Sequence, residues 1–206
     1  MIRSWGWRLD LSVPRAILLR MRHLIFSAVL CALAIPAFAA CPEPQDTRRE
    51  MLNLIAKSQA APNFTEGRRV SGEMWELWLK APDELAQEAL DAGMRRRDVA
   101  DFVGALKEFD RLAAYCPTYA EGCNQRAYLF FLNGQHEKAL VDLDIALKLQ
   151  PLHIAAQAGR ALTLMNLGRI EEARAQMLIA VENNPWLSEK ALLAEGAPLG
   201  PKGKDI

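Results

Sequence analysis

From about residue 47 onward, apolar side chains recur three and four positions apart, the spacing of one helical face, and short polar or Gly/Pro breaks separate the runs. Tyr128, Phe131 and Leu132 end one run, Asn133-Gly134 interrupts it, and Ala139, Leu140, Leu143, Ala146 and Leu147 resume it until Pro151. Leu162, Met165, Gly168, Ala173, Met177 and Ala180 repeat the arrangement. Each break between two such runs predicts a helical hairpin. Upstream, Thr47 and Glu50 have the spacing of a capping box ahead of Met51, Leu52, Leu54 and Ile55. A second upstream segment carries Val70, Met74, Trp75, Leu77 and Trp78 before Pro82, which suits the first turn of the next helix. Downstream, Ser188 can cap a short helix through Ala191, Leu192 and Leu193, and the Gly/Pro-rich stretch after Gly196 reads as a frayed tail.

The pattern has a period of 34 residues, marked by Pro117, Pro151 and Pro185. In phase with them run Gly93, Ala127 and Ala161; Ala105, Ala139 and Ala173; Leu112, Ala146 and Ala180; and the large apolar Phe109, Leu143 and Met177. Small residues in both helices let two backbones approach closely while the large one fills the space beside them. A hairpin of this size cannot bury its own apolar face and must stack on neighbours. The expected fold is therefore all-α, a helical-hairpin solenoid of three 34-residue repeats at 86–119, 120–153 and 154–187. A helical cap at 40–85, carrying Trp75 and Trp78 as packing residues, and a cap helix with tail at 188–206 would flank it.

On these positions the sequence resembles the tetratricopeptide repeat family, and in particular small exported bacterial proteins of that family. Tyr119-Ala120-Glu121-Gly122 followed by Arg126-Ala127 matches a phrase of that group, with Cys123 where its members have Trp. The first copy departs, with Arg95-Arg96-Arg97 in place of a large apolar residue and Ala100 where the later copies have Gly134 and Gly168. The resemblance implies a concave groove, lined by the first helix of each repeat, that holds a peptide or helix. Carried over by position, this face presents Asn124, Gln125, Tyr128, Phe131, Leu132, Leu162, Met165 and Asn166, with Glu121 beside them. The two better copies have no Lys or Arg there, which argues against a clamp for a C-terminal carboxylate. The mix of aromatic, Met and amide side chains instead suits an apolar segment. The alternative is a groove filled by the chain's own helices from 47 to 80, giving a structural or self-associating domain.

The front of the chain changes the charge picture. The whole sequence has 25 basic and 25 acidic residues, but residues 1–39 hold Arg3, Arg8, Arg15, Arg20 and Arg22 against Asp10, leaving 20 basic and 24 acidic. Neither balance suits a nucleic-acid binder. Arg20, Arg22 and His23 precede an apolar run from Leu24 to Ile35 that ends in Pro36-Ala37-Phe38-Ala39-Ala40, the three parts of a secretory signal peptide. Cleavage after Ala39 is expected, with Met21 as an alternative start and an uncleaved anchor as the alternative fate. Phe38-Ala39-Ala40-Cys41 also resembles a lipoprotein processing box with Phe in the usual Leu place, so acylation of Cys41 is a further alternative and the one route to a membrane. The localisation expected is periplasmic or secreted, or membrane-anchored through that lipid.

Cys116 and Cys123 bracket the turn at Pro117, and their spacing puts a disulfide within reach in an oxidising compartment, with two free buried thiols as the alternative. There is no Cys-x-x-Cys, no Gly-rich phosphate motif and no Gly-x-Ser-x-Gly elbow. His136 and His153 read as solvated and are not clustered with metal ligands, and Asp142 and Asp144 do not face each other on a helix. The expectation is a non-catalytic protein-interaction module or scaffold of the bacterial envelope, without cofactor or metal, whose partner is a protein or peptide. By family analogy an accessory role in envelope or cytochrome assembly is the further alternative.

Overall fold

The computed structural model describes residues 40–201; the export-signal, start-site and anchor readings of residues 1–39 lie outside the described residues. All regular elements described are helical. They are α1 (Arg48–Ala60), α2 (Phe64–Trp78), α3 (Glu84–Asp98), α4 (Phe102–Tyr115), α5 (Ala120–Leu132), α6 (His136–Leu149), α7 (Ile154–Asn166), α8 (Ile170–Asn183) and a 3-10 turn at Ser188–Leu193. Helices α3/α4, α5/α6 and α7/α8 pair as hairpins, α4 packs on α5 and α6 on α7, and the first helices α3, α5 and α7 also touch in succession. The array is the all-α solenoid that the 34-residue period predicts.

The in-phase positions form its interior. Ala105, Ala139 and Ala173 are fully buried, as are Leu112, Ala146 and Ala180, and Phe109, Leu143 and Met177 fill the hairpin seams. Size is matched within each seam. The Phe109 ring occupies the space a Cβ on Gly93 would need, whereas the slimmer Leu143 and Met177 face Ala127 and Ala161. The residue before each phased proline, Cys116, Gln150 and Asn184, leaves the helical region with ψ of 72°, 85° and 94°, as the proline ring demands of its predecessor.

The turn inside each hairpin is also shared. Asp101, Gln135 and Arg169 donate their amides to the carbonyls of Arg96, Phe130 and Leu164 at 2.9, 2.8 and 2.9 Å, the six-to-one bond of a helix that ends on a left-handed residue. That residue is Gly134 (φ 69°), Gly168 (φ 74°) and, in the first copy, Ala100 (φ 60°). Ala100 thus keeps the turn despite its Cβ. Arginines staple the copies together. Arg126 reaches back to Asp110 at 3.0 Å and forward, bidentate, to buried Asp142 at 2.6 and 2.7 Å. One period on, Arg160 repeats the reach to Asp144 at 2.7 Å and Gln176 at 3.1 Å.

Three local expectations are revised. Thr47 precedes α1 as predicted, yet its hydroxyl makes no capping bond and instead accepts from Gln150 Nε2 at 3.0 Å. Pro82 lies outside α3, because Asp83 is the N-cap, accepting from the Ala86 amide at 2.9 Å. The stretch after Gly196 is not frayed through Leu199, which is fully buried against the α8 cluster and donates its amide to the Leu192 carbonyl at 2.9 Å.

Since a left-handed alanine costs about 1 kcal/mol relative to glycine, Ala100→Gly should raise the stability of the fold by about that amount. A thermal melt should register a midpoint increase of about 2–4 °C; an unchanged or lower midpoint would show that the turn is not strained.

Candidate functional site: the inner face and its buried polar node

Helices α3, α5 and α7 present their free faces on one side of the array, and the α1–α2 hairpin lies against that side. Val70, Met74 and Trp78 of α2 form one apolar cluster with Met51, Leu54 and Ile55 of α1 and with Ile154 of α7. The α2 end is fixed by side chains of the repeats: Tyr119 donates its buried hydroxyl to the Trp78 carbonyl at 2.6 Å, and the Trp78 ring stacks on His153 at 4.4 Å and 11°. Burial pushes the Tyr119 phenol far above its usual range, so it remains a donor.

Beneath Trp78 lies a closed polar network. Glu121, in the first turn of α5, is 1% exposed, and His153 is 0% exposed. His153 Nδ1 accepts the Ala156 amide at 3.2 Å, capping α7, which leaves Nε2 as the hydrogen-bearing nitrogen facing Glu121 Oε2 at 2.6 Å. Asn124 Nδ2 donates to the same carboxylate at 3.1 Å and Gln125 Nε2 at 2.5 Å. Three nitrogens thus converge on the two carboxyl oxygens of Glu121. Gln125 in turn accepts from Arg97 Nη1 at 2.6 Å, so the chain of polar contacts runs from α3 through α5 to the start of α7.

The other end of the hairpin is held by the last repeat. Asn184 accepts from the Ser58 hydroxyl at 2.9 Å and donates to Ser71 Oγ at 2.9 Å, and Trp186 donates its indole N–H to the Ser58 carbonyl at 2.8 Å. The Trp186 ring lies where a Cβ on Gly67 would stand, so only glycine lets α2 approach it.

Between α2 and the inner face a cleft of about 670 Å³ remains, walled by Trp75, Trp78, Met94, Arg97, Asn124, Gln125, Tyr128, Phe131 and Leu162 among others. Trp75 and Tyr128 are 40% and 47% exposed, and the Arg97 guanidinium sits 5.8 Å from the Tyr128 ring centroid. Of the groove residues expected from sequence, Asn124, Gln125, Tyr128, Phe131 and Leu162 line this cleft, while Leu132, Met165 and Asn166 do not. Met165 packs toward the α8 cluster, and Asn166 donates to the Leu162 carbonyl of its own helix at 2.8 Å. Asn124 and Gln125 line the wall but bond to Glu121. His153, read as solvated, is the buried cap of α7, and His136 is half-buried 5.3 Å from the Phe131 ring. The first copy does place a cation on this face, Arg97. Among the described residues no group of three or more His, Cys, Asp and Glu side chains converges as for a metal, and no helix is long and apolar enough to cross a membrane.

The cysteine pairing expected from sequence is corrected. Cys116 is joined to Cys41, 75 residues away, and Cys123 is a free, buried thiol. Cys116 belongs to the apolar cluster of α3 and α4 with Cys41 against it, whereas Cys123, on another face of α5, packs with Ala127, Ala139 and Leu143. Burial pushes the Cys123 thiol up to about 11, with Asp142 adding to the effect, so it is protonated and unreactive in the fold. A crosslink closing so long a loop contributes about 4 kcal/mol in the chain-entropy account. It also bears on Cys41 itself: a sulfur in a disulfide has no thiol to acylate, so the lipidated and the crosslinked chain are alternatives.

Comparison with known proteins agrees with this architecture. The chain is 39% identical over 64 residues to a TPR repeat-containing protein of Rhizobium etli, covering 31% of each chain. It is 38% identical over 73 residues to the tetratricopeptide repeat protein 36 homolog of Nematostella vectensis, covering 35% of this chain and 40% of that one. The matched segments thus span well under half the length of either relative. No family model and no solved structure matches. The phased hairpins and shared left-handed turns form a helical repeat array consistent with the tetratricopeptide repeats for which both relatives are named.

Because three nitrogens converge on the Glu121 carboxyl, Glu121→Gln turns an amide NH₂ toward groups that already donate. Urea unfolding should show a loss of about 2–3 kcal/mol without a change in slope. A loss below about 0.5 kcal/mol would mean that the node is not closed as described.

Proposed function

We propose that the protein is a non-catalytic interaction module of the bacterial cell envelope that holds a short apolar segment of a partner protein in the cleft between α2 and the inner face. The observation that carries this reading is the cleft itself. It is large enough for a few side chains and mostly apolar, with the rings of Trp75 and Tyr128 standing about half exposed at its mouth. Aromatic rings of this kind are the usual anchors of recognition surfaces. The envelope location rests on the export-type segment at residues 20–39 and is supported by the Cys41–Cys116 bond, which persists in oxidising compartments. With Cys41 crosslinked, a soluble, secreted form fits better than a lipid-anchored one.

A second reading, in which the chain's own helices fill the groove, draws on the seating of Val70, Met74 and Trp78 against Ile154 and His153. The two readings combine: α2 takes the deep part of the groove and narrows what is left to a cleft, so the ligand is a short segment and not a long helix.

A photo-crosslinking amino acid at position 128 tests this in the cell, with position 141 on the outer helix α6 as control, where Val141 is 59% exposed. Discrete adducts at 128 that are absent at 141, and that disappear when Trp75→Glu is added, are expected. No adduct at 128, or the same adducts at both positions, would remove the cleft as a binding site.

A further inference from the structure

The described residues hold three cysteines and one bond, and the bond made is not the one that closes the shortest loop. Cys116 and Cys123 are separated by a single turn, whereas Cys41 and Cys116 are separated by 75 residues. In an unfolded chain the closure probability falls with about the three-halves power of loop length, which favours the short loop by roughly 30-fold. In the fold the preference is reversed, because the two near cysteines belong to different apolar clusters.

We propose that Cys123 is the temporary partner of Cys116, that the Cys116–Cys123 bond forms first during oxidative folding, and that its exchange to Cys41–Cys116 is the slow step. The chemistry balances. A small external disulfide such as oxidised glutathione takes two electrons from the Cys116 and Cys123 thiols and leaves as two thiols, giving the short-range bond. The Cys41 thiolate then attacks the Cys116 sulfur, the Cys116–Cys123 bond breaks, and Cys123 departs as a thiolate that takes up a proton from water. No further oxidant is consumed.

The fold makes the exchange one-way. Once α5 packs on α6, Cys123 is 5% exposed among Ala127, Ala139 and Leu143, and no attacking group can reach Cys116, itself 0% exposed. Desolvation also keeps the Cys123 sulfur protonated, which removes the nucleophile for the reverse step. Cys41, at the edge of its cluster and only partly covered, is the sulfur that can still approach as the segment 40–47 docks.

The test is oxidative refolding of the full chain carrying Cys31→Ala, started from the reduced, urea-unfolded state with a glutathione couple and quenched by alkylation at intervals. Peptide mapping should find the 116–123 link dominating the early samples and the 41–116 link replacing it. Cys123→Ala should reach the 41–116 link several-fold faster, its final fold being checked by circular dichroism, and Cys41→Ala should retain the 116–123 link as its main oxidised species. The proposal is overturned if the 116–123 link is missing from every early sample, or if Cys123→Ala closes 41–116 no faster than the parent.

Discussion

The Glu121 side chain has almost no contact with water, and a polar group so buried persists only if its oxygens are met by donors. Burying a polar group without its hydrogen bonds costs about 1–3 kcal/mol, and one poorly placed donor would leave much of that uncompensated. Here His153, Asn124 and Gln125 meet it, and each does so from a different constraint. Asn124 and Gln125 lie one helical turn along α5 from Glu121. His153 is turned toward it because its other nitrogen caps α7. The node therefore links two successive repeats as well as satisfying the buried carboxyl.

The same imidazole gives the N-terminal hairpin its seat. Its one face carries the Trp78 indole, whose carbonyl is taken by Tyr119, so α2 is aligned by groups from the first-to-second and second-to-third repeat junctions together. At the far end Asn184 and Trp186 hold α1 and α2 through Ser58 and Ser71. The Cys41–Cys116 bond ties the segment before α1 to the end of α4. Because the anchors are spread from the first repeat to the last, the hairpin is part of the repeat core and not an appended cap. This is what leaves a cleft where an open solenoid would have a groove.

Much of the array was legible because its determinants are local and repeated. Phased prolines, small residues at close approaches and a large apolar residue between them specify hairpins without reference to anything distant. Ala100 read as a departure from Gly134 and Gly168, and only the backbone shows that it keeps their left-handed turn. What escaped were contacts between segments far apart in sequence. Nothing near Cys116 announces Cys41 as its partner, since the pairing depends on where the segment 40–47 docks. His153 reads as solvated in isolation because its partners, Glu121 of α5 and Trp78 of α2, lie far from it in sequence. One signal was present: Glu121 occupies the phase of Gln87 and Ala155, and an acid at a position otherwise held by an amide and a methyl group marks a site answering to something outside the repeat.

The central claim is that the α1–α2 hairpin and the three repeats form one cooperative unit joined at the Glu121–His153–Trp78 node. Native-state hydrogen exchange resolved by residue tests it most directly. Amides of α2 from Val70 to Trp78 should open with the same free energy as those in the middle of α5 and α7, in the global unfolding event. Exchange of α2 orders of magnitude faster, with α5 and α7 still protected, would show the hairpin to be a detachable cover and would contradict the account.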